Sequence, residues 1–300
     1  MSETKVGYVA IIGRPNVGKS TLLNYLVGEK IAGTSAKPQT TRDVIRGILT
    51  VPDGQAYESP YRGQIIFLDT PGVHQPKDAL GKGMVRDVHE SLSNADLVFW
   101  MAYPKAMGDA EREILKWVKD LSIPVFLLIN QIDHFPKDDI LVALDSFQKA
   151  YAFKEFIPIS AKTGENVKVL VQQALAYLPQ GEFIYPEDQI SDQNIRFHAQ
   201  EMIREKLYHF LGEELPYDGA VRIDEFKEEA KITRIRATIV IERESQKAIV
   251  IGKGGEKIKQ IGTAARLDLE KFLGRKVFLE LWCKVIPGWK TNAAFLRESQ

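Results

Sequence analysis

The segment Gly13-Arg14-Pro15-Asn16-Val17-Gly18-Lys19-Ser20 restricts the fold of this chain more than any other. It fills the pattern G-x-x-x-x-G-K-S, follows the apolar run Val6 to Ile12 and opens the helical period Lys19 to Leu26. A strand that turns through such a loop into a helix points to a mostly parallel sheet with helices on both faces. Its glycines let backbone N–H groups close around phosphate at the positive end of the helix. Lys19 is expected to bridge β- and γ-phosphates, and Ser20 to offer its hydroxyl to magnesium. A nucleotide is therefore expected against Gly13, Asn16, Val17, Gly18, Lys19, Ser20 and Thr21. The plain alternative is a glycine-rich strand-to-helix turn, and the complete pattern in this context favours the phosphate loop.

A phosphate loop alone does not separate ATPases, kinases and GTPases, so the remaining motifs decide. Asp69-Thr70-Pro71-Gly72 ends the third apolar run, where Asp69 can hold magnesium through water and the Gly72 N–H can sense a γ-phosphate. Asn130-Gln131-Ile132-Asp133 follows the fifth run. An aspartate there accepts two hydrogen bonds from guanine N1 and N2, which adenine cannot supply. Ser160-Ala161-Lys162 follows the sixth run and is expected to present the Ala161 N–H to guanine O6. Each short motif is weak alone, but four in the right order after the right strands specify GTP and GDP as ligands.

The surrounding rhythm agrees. Strand-like runs at Val6 to Ile12, Ile45 to Val51, Gln64 to Leu68, Leu97 to Met101, Pro124 to Ile129 and Phe156 to Ile159 alternate with helical periods. Those periods cover Lys19 to Leu26, Met84 to Leu92, Ala110 to Leu121, Asp138 to Ala150 and Val167 to Leu178. The expected fold class is α/β, a doubly wound, mostly parallel P-loop GTPase domain over residues 1–180. The segment 179–188 carries two prolines and a glycine without either period, and residues 181–194 are expected to link this domain to a second one, 195–300. A total of 300 residues suffices for two cores.

The second domain has a different grammar: a long helix (Ile195 to Leu211), two alternating strands (Ala220 to Phe226, Thr233 to Glu242), a glycine-interrupted helical pair (Ala248 to Leu273) and a last strand (Lys276 to Val285). Gly252-Lys253-Gly254-Gly255 interrupts the pair as the GxxG loop of a KH domain does, and the element order is that of the smaller α+β type II KH fold. RNA is expected along Ile251, Gly252, Lys253, Gly254, Gly255, Lys257, Ile258 and Lys259, with Ile261 also lining the groove. The alternative is a glycine cap between two helices. Lys plus Arg and Asp plus Glu both number 40, so no overall field attracts polyanions and any nucleic-acid site must be local. The stretch Arg243 to Lys276 is locally basic.

These residues resemble the Era-related translational GTPases through nearly the whole chain, including Gln39-Thr40-Thr41-Arg42-Asp43 in the first switch. The resemblance implies a GTPase acting through Lys19, Thr41 and Gly72, with Mg2+ held by Ser20, Thr41 and Asp69 and Thr40 the substitute for Thr41. It implies K+ beside the phosphates near Asn16, binding to the 3′ region of 16S ribosomal RNA, and a checkpoint role in 30S subunit assembly. Two positions mark the chain off. The family usually has lysine at Gln131, so lower nucleotide affinity is expected with guanine specificity intact. Val73 stands where Ras-like enzymes place a water-orienting glutamine; this is normal for the Era group and implies slow intrinsic hydrolysis.

Other readings stand beside this one. A membrane-associated switch using its basic face, at the inner face of the cell membrane, is one; a KH-like module with a degenerate nucleotide site is another. Leu97 to Ala102 and Ile123 to Ile129 fall short of the ~18 apolar residues of a membrane helix. Cys283, the single cysteine, alternates with Val277, Leu279, Leu281 and Val285 and is expected as an inert core residue. One cysteine and the polar start Met1 to Lys5 fit a reducing cytoplasm. His74, His89, His134, His198 and His209 lack metal-ligand spacing and are expected in loops or on helix surfaces. Phe278 and Trp282 are expected either to cover a neighbouring helix or to form a stacking platform.

Overall fold

The computed structural model describes residues 3–34, 44–53, 55–72, 79–211 and 219–291. The expectations for Thr40 and Thr41, the rest of the first-switch segment 39–43, Val73 and His74 lie outside these residues. The chain divides into two compact units, whose main boundary lies between Asp192 and Gln193.

The first unit is built on a six-stranded sheet of order β2-β3-β1-β4-β5-β6. Its strands are β1 (Thr4–Gly13), β2 (Ile45–Val51), β3 (Arg62–Asp69), β4 (Leu97–Ala102), β5 (Val125–Ile129) and β6 (Glu155–Pro158). Only β2 is antiparallel to its neighbour. The central strands read as continuous apolar runs because helices cover both faces. On one face α2 (Ala79–Ser93), α3 (Asp109–Val118) and α4 (Lys137–Gln148) bury Val88, Leu92, Ile114, Val118, Ala143 and Phe147 against Ala10, Ile12, Val98, Trp100, Leu127 and Ile129. On the other lie α1 (Lys19–Val27) and α5 (Val167–Tyr177), with Leu22, Leu23, Leu170 and Val171 buried. Because β1, β3, β4 and β5 run parallel, the loops at their carboxyl ends gather at one sheet edge, where ligands bind in open α/β folds.

The segment expected as a linker is bonded along this unit up to Asp192. Val6 N–H donates to Pro179 O (2.9 Å) and Ile48 N–H to Ile190 O (2.9 Å). Gln64, fully buried in β3, accepts from the N–H groups of Ile184 and Tyr185 and donates to Tyr185 O. Arg46 pairs with Asp192 at 2.7 Å. Satisfying a buried amide in this way ties the strap to the sheet, since an unpaired one is costly.

The second unit runs α6 (Ile195–Leu211), β7 (Ala220–Glu228), β8 (Ile232–Ile241), α7 (Glu244–Ile251), α8 (Glu256–Leu273) and β9 (Lys276–Val285). Its sheet has the order β7-β8-β9, with β7 antiparallel and β9 parallel to β8. All three helices pack on one face, around Met202, Ile203, Ile239, Val250, Ile261 and Leu269. Helix α7 begins one turn before the apolar period because Gln246 Oε1 accepts from the N–H groups of Glu242 and Arg243, capping a polar first turn.

Three expectations change here. Ile261 is fully buried in the core and does not line a groove. His198 is not on a helix surface: it is buried beside the rings of Phe197 and Phe272. Among the described residues Phe278 and Trp282 cover none of α6, α7 and α8, being exposed on the opposite face of the sheet. Cys283 packs half-buried against the core, and burial pushes its thiol up to about 11, which keeps it protonated and unreactive. Among the described residues no helix is long and apolar enough to cross a membrane.

Candidate functional site

The loop after β1 closes around its own lysine. Lys19, buried at the start of α1, donates to Gly13 O (3.4 Å) and Arg14 O (3.1 Å). Burial pulls its ammonium down to about 8, with Asp69 pulling the other way. Gly18 caps α1 at φ 106, and a Cβ there would lie 2.2 Å from Asn130 Nδ2, so the close approach admits only glycine. Asn16 adopts φ 63. Val17 is buried, while Ser20 and Thr21 are half-buried.

The turn after β3 reaches this loop directly. Thr70 Oγ1 donates to Ile11 O at 2.8 Å, fixing the turn to β1. Ser20 Oγ donates to Asp69 Oδ2 at 2.6 Å. Burial raises the Asp69 carboxyl to about 6, against the pull of Lys19 and the Ser20 bond. Its second oxygen, Oδ1, is buried without a hydrogen-bond partner. An orphaned carboxylate oxygen beside a hydroxyl fits a hard divalent cation such as magnesium. A Cβ on Gly72 would come within 2.7 Å of Pro15 N and Cα, so the Gly72 backbone lies directly against the phosphate loop.

Asn130 holds two further loops in the same frame. It is buried, donates from Nδ2 to Val17 O (2.7 Å) and accepts at Oδ1 from Ala161 N–H (2.9 Å). The Ala161 N–H expected for guanine O6 is thus already donated to Asn130, and a purine oxygen would have to share it. Ser160 Oγ donates to Asp133 Oδ1 at 2.8 Å, and His134 Nε2 lies 3.3 Å from Oδ2. Burial tends to raise the Asp133 carboxyl, but the Ser160 and backbone hydrogen bonds, with His134 and Lys162 nearby, hold it below the usual carboxylate range. It is therefore an ionised double acceptor. Gln131 sits at φ 69 and hydrogen-bonds to the Tyr103 hydroxyl.

Two supports escaped the sequence reading. Arg14 pairs with buried Glu111 at 3.2 Å, while Glu111 also accepts from Gly108 N–H at the start of α3. Glu111 is the third residue of its helix, a capping signal, but nothing in its spacing ties it to Arg14. Gly164, at φ 84, packs so closely on the Tyr25 ring that a Cβ would overlap the hydroxyl.

In the second unit Gly252, Gly254 and Gly255 have φ of 71, 62 and 80, so the loop between α7 and α8 is built from left-handed residues. A Cβ on Gly252 would lie 2.6 Å from Lys257 Cβ, whereas Gly254 and Gly255 face open space. Beside the loop, Ile258, Lys259, Gly262, Thr263 and Arg266 of α8 face Leu279 and Leu281 of β9 across a groove of ≈ 260 Å³. Lys253 and Lys259 are exposed and, among the described residues, pair with no carboxylate. Ile251 and Lys257 are half-buried behind them. An apolar floor with unpaired cations at a glycine loop suits bases and a sugar-phosphate backbone.

Residues 8–131 match the family described as a 50S ribosome-binding GTPase, and residues 214–290 the KH domain family. The GTPase Era of Staphylococcus haemolyticus is 45% identical over 99% of this chain and 97% of its own. That of Coxiella burnetii is 45% identical over 99% and 98%. Among solved structures, a point variant of Aquifex aeolicus Era bound to GDP and AlF4⁻ shares 42% identity at a TM-score of 0.92 over 98% of both chains. Era in complex with MgGDPNP and nucleotides 1506–1542 of 16S ribosomal RNA shares 42% at 0.92 over 99% of this chain and 98% of that one. A phosphate loop, an ionised aspartate beside it and a glycine-loop groove on one polypeptide, matched over nearly its full length, accompany these likenesses, and the chain belongs to the Era family of GTPases, with a GTPase domain followed by a KH domain.

Proposed function

We propose that the chain is a guanine-nucleotide switch that binds 16S ribosomal RNA near its 3′ end through the KH groove and acts in assembly of the 30S subunit. In this reading Asp133 and the Ser160-Ala161-Lys162 loop select guanine. Backbone N–H groups of the Gly13–Ser20 loop and Lys19 hold the phosphates. Ser20 and Asp69 would hold Mg2+, with Thr41 completing the set. The chemistry magnesium would supply there, when bound, is neutralisation of negative charge on the phosphates. Gly72, whose Cα side packs against Pro15, registers a γ-phosphate through its N–H, and with no glutamine at Val73 turnover is slow. Asn16 serves a K+ ion beside the phosphates. Residues 1–180 form the GTPase domain, 181–194 the connection and 195–300 the KH domain. The protein works in the cytoplasm on the 30S particle, with a peripheral contact at the inner face of the membrane as its remaining expected partner.

The observation that carries the nucleotide half is Asn130, whose two bonds join the phosphate loop to the base-reading loop. This continuous frame favours a working site over a degenerate one. For the RNA half it is the groove with unpaired Lys253 and Lys259, in a chain whose solved relative is complexed with 16S RNA. Filter binding with GTP, GDP and RNA of nucleotides 1506–1542 tests both halves. Saturable binding of all three is expected, and failure of either ligand class removes the corresponding half.

A further inference from the structure

Strand β9 separates two surfaces. Leu279 and Leu281 face the groove beside α8, while Phe278 and Trp282 project from the face of the sheet opposite α6, α7 and α8, 48% and 54% exposed. Part of that face is already covered: Trp289 is buried against Ala220 and Val240. The rest is open, and its arginines are largely answered by carboxylates. Arg236 pairs with Glu225 and Glu280, Arg234 with Glu229, and Arg222 with Asp224. What remains unmatched is aromatic surface, with exposed Lys284 next along the same side of β9. The Arg234 guanidinium lies 5.3 Å from the centre of the Phe278 ring, giving a cation-backed plane. Among the described residues no ring or cation covers Trp282.

We infer that Phe278 and Trp282 are a stacking platform for single-stranded RNA that leaves the GxxG groove over the edge of β9. The inference rests on the groove being the RNA site. Continuity selects RNA as the occupant. Strand β9 is the sheet edge and the wall of the groove, so a strand passing over it reaches both rings on the other side. Length points the same way. A GxxG loop clamps about four nucleotides, whereas the solved relative is complexed with nucleotides 1506–1542. Phe278 and Trp282 stand four positions apart, about 13 Å along an extended strand, so they meet different nucleotides. Base stacking on aromatic rings is indifferent to sequence and needs no unpaired charge.

The test compares RNA fragments tiled across nucleotides 1506–1542 in two lengths, about four nucleotides, which fill the groove, and about twelve, which overrun it. Binding is measured on full-length protein. For Trp282→Ala, affinity for the short fragments should stay within about twofold of the parent while affinity for the long ones falls at least about fivefold. Trp282→Tyr should keep most of the long-fragment affinity, because a ring remains. Phe278→Ala should reproduce the pattern more weakly. Unchanged long-fragment binding in Trp282→Ala would overturn the platform and leave the ring for a protein contact. Equal loss at both lengths would also overturn it, by placing Trp282 among the supports of the groove. If the parent binds neither length, the groove itself is wrong, an outcome distinct from failure of the platform alone.

Discussion

Ser20 donates its hydroxyl hydrogen to Asp69 Oδ2 at 2.6 Å, although the two lie 49 positions apart in the chain. The bond joins the start of α1 to the end of β3. It leaves Asp69 Oδ1 buried and unpartnered, the arrangement a divalent cation would complete.

The first prediction concerns magnesium and pH. With Asp69 raised to about 6, protons compete with the cation below that pH. Apparent Mg2+ affinity in GTP binding should fall by up to about tenfold per pH unit below pH 6, and Asp69→Asn should need at least about tenfold more magnesium with a flatter profile. The stability sign is opposite. A carboxyl whose folded value is raised above 3.8 contributes fully below about 3.8, and that contribution is lost as pH rises through about 6. Nucleotide-free parent should therefore lose stability relative to Asp69→Asn across that window. Titration calorimetry and thermal melts read both effects, and a magnesium requirement independent of pH would contradict the role of Asp69.

The second prediction concerns the base. Asp133→Asn replaces a double acceptor with a group that donates on one side, so GTP affinity should fall about a hundredfold, about 2.7 kcal/mol, while xanthosine triphosphate gains. Competition binding decides this. Strong displacement of xanthosine triphosphate by GTP in the variant would remove Asp133 from base recognition.

Gln131 gives a subtler case. Lysine and glutamine bear the same backbone cost at φ 69, so Gln131→Lys changes only what the side chain does. The longer stem should pack against the guanine plane and tighten GDP and GTP together by about threefold, without altering base choice. Equal affinities for parent and variant would mean that Tyr103, bonded to Gln131, already compensates.

In the GxxG loop, Gly254 has φ 62 with open space around its Cα. Aspartate is among the residues that tolerate this conformation best. The pair Lys253→Asp and Gly254→Asp should therefore preserve the fold while setting two negative charges against RNA phosphates. RNA affinity should drop at least about tenfold, about 1.4 kcal/mol, with GTP hydrolysis nearly unchanged. Retention of full RNA affinity across a salt titration, in protein shown folded by circular dichroism, would reduce the loop to a helix connection.

How far sequence alone reaches is clear from particular residues. The apolar runs that became β1, β4 and β5 were legible because helices cover both sheet faces, and the Gly13–Ser20 loop because its glycines and lysine have one common use. Periodicity showed that Phe278 and Trp282 share a side of β9 but not whether anything packs on it. His198 lies among rings from α6 and α8, which no local pattern reveals. Glu111 with Arg14 and Gln64 with Tyr185 meet across 97 and 121 positions, and such pairs emerge only from the folded chain.

The central claim, one polypeptide with a guanine-nucleotide site and a separate RNA groove, is tested most directly by binding of both ligands to two crossed variants. Asp133→Asn should lose GTP yet, saturated with xanthosine triphosphate, bind RNA of nucleotides 1506–1542 as the parent does with GTP. The Lys253→Asp, Gly254→Asp pair should keep GTP and lose the RNA. If instead both variants lose RNA equally, or neither affects its own ligand, the two sites are not the separate devices described here.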